Sequence, residues 1–71
     1  MGDNMTNFVG RQISGTYCAR PFTGTIINQH SVWPGDIQFK INLDQPITVI
    51  DTTYTEIFIE LFADSKNFVF I

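Results

Sequence analysis

The chain has 71 residues, with four basic and seven acidic side chains, a net charge of −3 and a pI near 4.6. At 44% hydrophobic and 15% charged residues, it is neither a disordered acidic tail, which is charge-rich and apolar-poor, nor a general nucleic-acid coat, whose affinity comes from many Lys and Arg on phosphates. No apolar run approaches the ~20 residues that span a bilayer and no charged-then-apolar leader precedes a cleavage site, so the expectation is a cytoplasmic chain without a membrane partner; the lone cysteine, Cys18, forms no intramolecular disulfide.

Ten Ile and four Val stand against two Leu and two Ala; eight Thr and ten aromatic residues complete a β-branched and aromatic set of 32 residues. Such side chains suit a pleated, half-buried surface, and good helix formers are scarce. The composition predicts an all-β fold, a small barrel or sandwich of five to six short antiparallel strands, with residues 1–7 as a flexible N-terminus and 8–71 as one domain.

In chain order, Phe8 to Tyr17 reads as a first strand, with Gly10 and Gly15 marking bends or bulges. Cys18-Ala19-Arg20-Pro21 connects it to a second strand, Phe22 to Val32. Trp33-Pro34-Gly35-Asp36 fits a type II turn, with Pro34 second and Gly35 third. From Ile37 to Asp44 the apolar Ile37, Phe39, Ile41 and Leu43 alternate with polar residues, the cleanest period of two in the chain, so strands two and three form a hairpin. Gln45-Pro46 breaks the run before a short strand, Ile47 to Ile50; Asp51 to Thr55 is a hydroxyl-rich loop or single turn. Glu56 to Phe62 and Phe68 to Ile71 are the last strands, joined by a turn over Ala63 to Asn67. Barrel closure is favoured because it removes exposed edges.

A domain this small buries only about 60% of its unfolded surface and has no disulfide or evident metal, which predicts a homo-oligomer. On the Glu56–Phe62 strand, Phe58 and Phe62 share a face with Glu56 and Glu60, opposite Ile57, Ile59 and Leu61. That face is either covered within the monomer or a subunit interface.

Catalytic chemistry finds little support. A Cys18–His30 pair needs an activated thiol and a base within reach, and the two lie on consecutive strands, but Cys18 also reads as a small buried hydrophobe. One His, one Cys and scattered carboxylates, Glu56 and Glu60 among them, have no metal-ligand spacing. No glycine run builds a phosphate loop, and Gly15 and Gly24 read as sites of close strand approach. Met1 to Thr6 matches a loose myristoylation pattern and Asn4-Met5-Thr6 a glycosylation sequon, both short and permissive. The reading is therefore a non-enzyme without cofactor or metal.

Binding is the better prospect, and the polar and aromatic candidates are Arg11, Tyr17, Arg20, His30, Trp33, Lys40 and Tyr54. Trp33, beside Pro34 on a tight turn, either caps the barrel or offers a stacking platform. Arg20 clamps phosphate or carboxylate, or is a solvated loop charge. With four basic residues, an anion site has to be composite and built across subunits.

The segments Gly10 to Tyr17, Pro21 to Ile26 and Asn42 to Val49 carry an "SGT…PFTGT…LD.PI.V" pattern that resembles small bacteriophage proteins with SH3-like barrels. The resemblance implies a viral accessory role in the host cytoplasm, such as neutralising host defence by holding a nucleotide signal or blocking a host protein. The combined expectation is a binding module that sequesters a small anionic, nucleotide-like ligand at a subunit junction, with Arg11 and Arg20 on phosphate, Trp33 or Tyr54 stacking, and Tyr17 and His30 completing the site. The alternatives are a protein-interaction or virion component using the Phe58/Phe62 face, and a single-strand nucleic-acid binder, which the negative charge disfavours.

Overall fold

A computed structural model describes residues 6–71. It contains five strands: β1 (Gln12–Tyr17), β2 (Arg20–Val32), β3 (Asp36–Val49), β4 (Thr52–Glu60) and β5 (Phe68–Phe70). They form one antiparallel sheet in the order β4-β3-β2-β1-β5. The all-β reading holds, and no helix of the described residues is long and apolar enough to cross a membrane. The myristoylation and sequon patterns rest on Met1 to Met5, which lie outside the described residues. Of the N-terminal segment expected to be loose, Thr6 and Asn7 are tied down. The Gln29 side chain donates to the Thr6 carbonyl and accepts from the Phe8 N–H, both at 2.6 Å, and Asn7 Oδ1 accepts from Val9 N–H.

The hairpin of β2 and β3 is the spine of the fold. Phe39, Ile41 and Leu43 are buried and Ile37 packs at their margin, as the alternation predicts. Three local expectations change. The β2–β3 turn closes from Gly35 N–H to the Val32 carbonyl at 3.0 Å, with a cis Trp33–Pro34 bond, so Pro34 takes the third place rather than the second. Gly35, at φ 109°, supplies the left-handed backbone just beyond it. Gln45-Pro46 does not end β3; the register shifts between Asn42 and Ile47, and a bulge absorbs the proline's missing donor. The expected Asp51–Thr55 loop is mostly strand, because Thr and Tyr favour extended backbone and Thr48 and Thr53 share a hydroxyl bond at 3.0 Å. Gly10 sits in a turn ahead of β1, while Gly15 stays in the ladder, paired with Phe22 on one side and Phe68 on the other.

The sheet is rolled. Strands β3 and β5 are three positions apart, about 14 Å in a flat sheet, yet the Phe39 ring lies 6.5 Å from Phe68 and 6.4 Å from Phe70. Tyr17 on β1 and Tyr54 on β4, also three positions apart, meet edge to face at 6.1 Å. The roll encloses Ile13, Phe22, Ile26, Phe39, Ile41, Ile57 and Ile59, and Phe8 covers its mouth against Phe39 and Phe70 at 5.3 and 5.4 Å. No ladder joins β4 to β5 among the described residues, so the barrel closes through side chains and leaves a seam between its edge strands. The expectation that closure removes every edge is corrected on this point.

Asp36 locks one end of that seam. Its carboxylate accepts N–H bonds from Ile37 and Phe62 at 2.8 Å and from Ala63 at 2.9 Å. Burial pushes its pKa up, but the bonds from Phe62, Ala63 and Ile37 outweigh that, and the net value falls below the ordinary 3.8. A lowered folded-state pKa gives stability that is present above 3.8 and lost as pH falls through the folded value. Asp36→Asn replaces one acceptor by a donor facing an N–H. We expect thermal midpoints followed from neutral to acid pH to be lower for the variant at neutral pH, with the difference from wild type closing below 3.8. A difference independent of pH would show that the carboxylate charge is not what holds the loop.

Candidate functional site

The seam opens into a cavity of about 240 Å³ lined by Thr16, Tyr17, Cys18, Phe22, Ile59, Asp64, Asn67 and Phe68. Each wall has a local cause. Phe22, Ile59 and Phe68 are inward-facing strand residues that form an apolar floor. The β1–β2 connection is a two-residue turn at Cys18 and Ala19, with φ 50° and 66°, the left-handed pair that the twist of a tight hairpin demands. That turn puts Tyr17 and Arg20 directly opposite each other on one face. The Ala63–Asn67 segment folds back so that the Asn67 carbonyl accepts from Thr16 N–H at 2.8 Å and Asp64 Oδ2 accepts from Glu60 N–H at 2.7 Å. Asp64 and Asn67 thereby form the polar rim.

Tyr17 is the main titratable feature here. Partial burial, then the neighbouring Cys18, Tyr54 and Asp64, push its phenol pKa above the ordinary 10.0. It is therefore a neutral hydroxyl donor at physiological pH. Asp64 is an acceptor, and Arg20, exposed at the turn, is the nearest cation along the ladder. At about 240 Å³ the cavity falls below the ~300–1,000 Å³ of drug-sized sites and suits one ring system. The chemistry on offer is stacking, one donor, one acceptor and a cation beside the mouth.

Of the seven binding candidates, the fold brings together Tyr17, Arg20 and Tyr54. Arg11 lies opposite Ile26, six residues farther along β2 than Arg20, or roughly 20 Å; its guanidinium sits 4.6 Å over the Phe70 ring. His30 is exposed on the outer face in a row with Gln38 and Glu60. Trp33 is at the far end of the spine and 93% exposed, so it does not cap the barrel. Lys40 pairs with Glu56 at 3.4 Å on the outer face. The structure shows no Cys18–His30 contact: Cys18 sits in the β1–β2 turn and lines the cavity, while His30 is exposed on the outer face of the sheet. Cys18 is exposed, not a buried hydrophobe. Phe58, on edge strand β4, and Phe62, just beyond it, are 53% and 62% exposed, which overturns coverage of that face within the monomer. Among the described residues, no group of three or more His, Cys, Asp and Glu could hold a metal ion.

Sequence reasoning missed Asp64, Asn67 and the floor of Phe22, Ile59 and Phe68 as a site. The β1–β2 hairpin brings Phe22 to Tyr17, the β1–β5 pairing brings Asn67 and Phe68, and the roll of the sheet brings Ile59; the one local signal was Gly15, a strand glycine marking close backbone approach.

Rolled sheet and seam cavity together define a small all-β binding domain. A family model described as "Glyoxalase superfamily protein" matches residues 2–58, most of the chain, and the chain belongs to that family. The superfamily includes enzymes and non-enzymes, so membership sets the domain type rather than an activity. The match covers Tyr17, Arg20, Phe22 and Tyr54 and stops before Ile59, Asp64, Asn67 and Phe68. Neither the curated proteins nor the solved structures contain a match to this chain.

Proposed function

We propose that the chain is a non-enzymatic binding module that sequesters a small anionic, nucleotide-like ligand. The observation carrying this reading is the seam cavity, with Tyr17 in its wall, Tyr54 edge to face with Tyr17, and Arg20 opposite Tyr17. The base enters over Phe22 and Phe68, Tyr17 donates to it, Asp64 accepts from its N–H edge, and Arg20 takes the phosphate. Arg11 is too far along β2 to share that phosphate within one copy, so its participation requires a subunit junction. The bacteriophage resemblance supports a role as a viral accessory protein in the host cytoplasm, where removing a nucleotide signal would blunt defence.

Thermal shift against purine and pyrimidine nucleoside monophosphates, free nucleosides and inorganic phosphate tests the reading. A binder present at a hundred times its Kd adds about 2.7 kcal/mol, several degrees or more for a domain this size. The expected ranking is monophosphate over nucleoside over phosphate, with the shift lost in Arg20→Ala and reduced in Tyr17→Phe. No stabilisation by any of them, or an equal shift in Arg20→Ala, would sink it.

The exposure of Phe58 and Phe62 favours a second reading, a protein-interaction or virion component docking through that face. Phe58→Asp then abolishes partner capture while leaving the circular dichroism spectrum unchanged. Single-strand nucleic-acid binding is the weakest reading, because Arg11, Arg20 and Lys40 form no continuous basic track.

A further inference from the structure

The largest apolar side chain of the molecule is left in water. Trp33 is 93% exposed, and its neighbour Pro34 lines a groove of about 410 Å³ with Gly35, Asp36, Glu60, Phe62 and Ala63. The indole does not fill the groove it adjoins. The groove itself is pre-shaped: the N–H bonds from Phe62 and Ala63 to Asp36 fix that loop against the turn, so little ordering remains to be done on binding. Its walls, Pro34 and Phe62, are apolar, and its carboxylates, Asp36 and Glu60, are acceptors when ionised. Indole matches that chemistry, with an aromatic body and a single N–H that only donates.

We propose that this end of the molecule is a two-fold interface with a second copy of the chain, each Trp33 seated in the other's groove with its indole N–H on the Glu60 carboxylate. A knob beside its own type of hole is self-complementary, and a two-fold axis satisfies both contacts at once and closes the assembly as a dimer. Two Trp33 and two Phe62 side chains, 93% and 62% exposed, have on the order of 450–800 Å² left to bury, and the groove walls and the turn and loop backbones they cover carry the total toward the ~1,200 Å² lower end of specific interfaces. A domain of 71 residues gains from such burial. The groove meets the ligand cavity only along residues 59–64, with Glu60, Phe62 and Ala63 in the groove and Ile59 and Asp64 in the cavity, and the two share no lining residue; the inference goes beyond the proposed function, and Trp33 and Phe62 can be changed without altering a cavity side chain.

Trp33 is the only tryptophan, so its fluorescence reports the interface directly. Sedimentation equilibrium and emission spectra are measured together over a dilution series from about millimolar to sub-micromolar protein. The expected result is a monomer–dimer equilibrium whose midpoint coincides with a blue shift of the emission and weaker acrylamide quenching on the dimer side. Trp33→Ala, a change at an exposed side chain, leaves the circular dichroism spectrum intact and the protein monomeric. Phe62→Ala weakens the dimer at least tenfold. Phe58→Asp, on the outer face of β4, leaves it in place. A monomer throughout, a larger assembly, an association unchanged in Trp33→Ala, or one lost only in Phe58→Asp would each overturn the proposal.

Discussion

Phe39→Ala is expected to remove most of the stability of this domain. The ring is fully buried in β3 and meets Phe8 from the segment before β1 and Phe68 and Phe70 from β5. Those contacts exist only because the sheet rolls, and they span the seam that no ladder closes. Truncating a buried phenylalanine costs about 3–5 kcal/mol, through lost transfer energy and the cavity left behind. At roughly 0.05–0.15 kcal/mol per residue, a chain of this length holds about 4–10 kcal/mol in all. Urea unfolding followed by circular dichroism should therefore find the Phe39→Ala midpoint at less than about half that of wild type. Phe39→Leu, which keeps most of the volume, should cost less than about 1.5 kcal/mol. If Phe39→Ala lost under 1 kcal/mol, the side-chain closure of the seam would not be what holds the roll together.

The strand pattern was legible because it is local. Ile37, Phe39, Ile41 and Leu43 declare a buried face by alternation alone, and Pro34 and Gly35 mark the turn that begins their strand. The bulge at Gln45-Pro46 was not legible, since a proline that ends a strand and one that a bulge accommodates read alike; the difference is set by what β4 offers across the ladder. Thr52 to Thr55 was misread because hydroxyl-rich runs suit loops and edge strands equally, and only pairing with β3 decides. The candidate site divides along the same line. Tyr17, Arg20 and Tyr54 came together where sequence reasoning had placed them on a list without geometry. Trp33, His30 and Arg11 did not join them, because long antiparallel strands carry residues close in sequence to opposite ends of the sheet. Asp64 and Asn67 reach the cavity through a three-residue strand paired back to β1, a contact no local pattern encodes. Asp36 looked like an ordinary turn residue, and its role as a triple acceptor depends on a loop 26 and 27 residues away.

Gly15→Ala should be the most disruptive of the small substitutions, and it acts on fold and site together. The added Cβ would lie 2.7 Å from Phe68 Cβ and 2.8 Å from Phe68 Cα, and against the Asn67 carbonyl. Those are mostly backbone atoms of β5 and the turn before it, which cannot rotate aside as a flexible side chain would. Restricting the unfolded chain returns about 0.4–1 kcal/mol for a glycine-to-alanine change, but overpacking of this kind costs about 1–3 kcal/mol or more, so the clash wins. Strand β5 pairs with β1 at only three register positions, so its displacement is the cheapest relief. The Thr16–Asn67 and Ile71–Gln12 bonds would then open, Phe68 and Phe70 would leave Phe39, and the cavity would lose its Asn67 and Phe68 wall. Hydrogen exchange should find the amides of Phe68 to Ile71 unprotected in Gly15→Ala while those of Ile26 and Ile41 in the spine remain slow, with any ligand-induced thermal shift abolished. Gly10→Ala is the control: its added Cβ meets nothing within 4 Å, and only the φ of 96° opposes it, a strain of about 1–2 kcal/mol that leaves β5 in place. Should Gly10→Ala unprotect β5 and Gly15→Ala leave it protected, the close approach of β5 over Gly15 would be wrong, and the seam cavity would lose its physical basis.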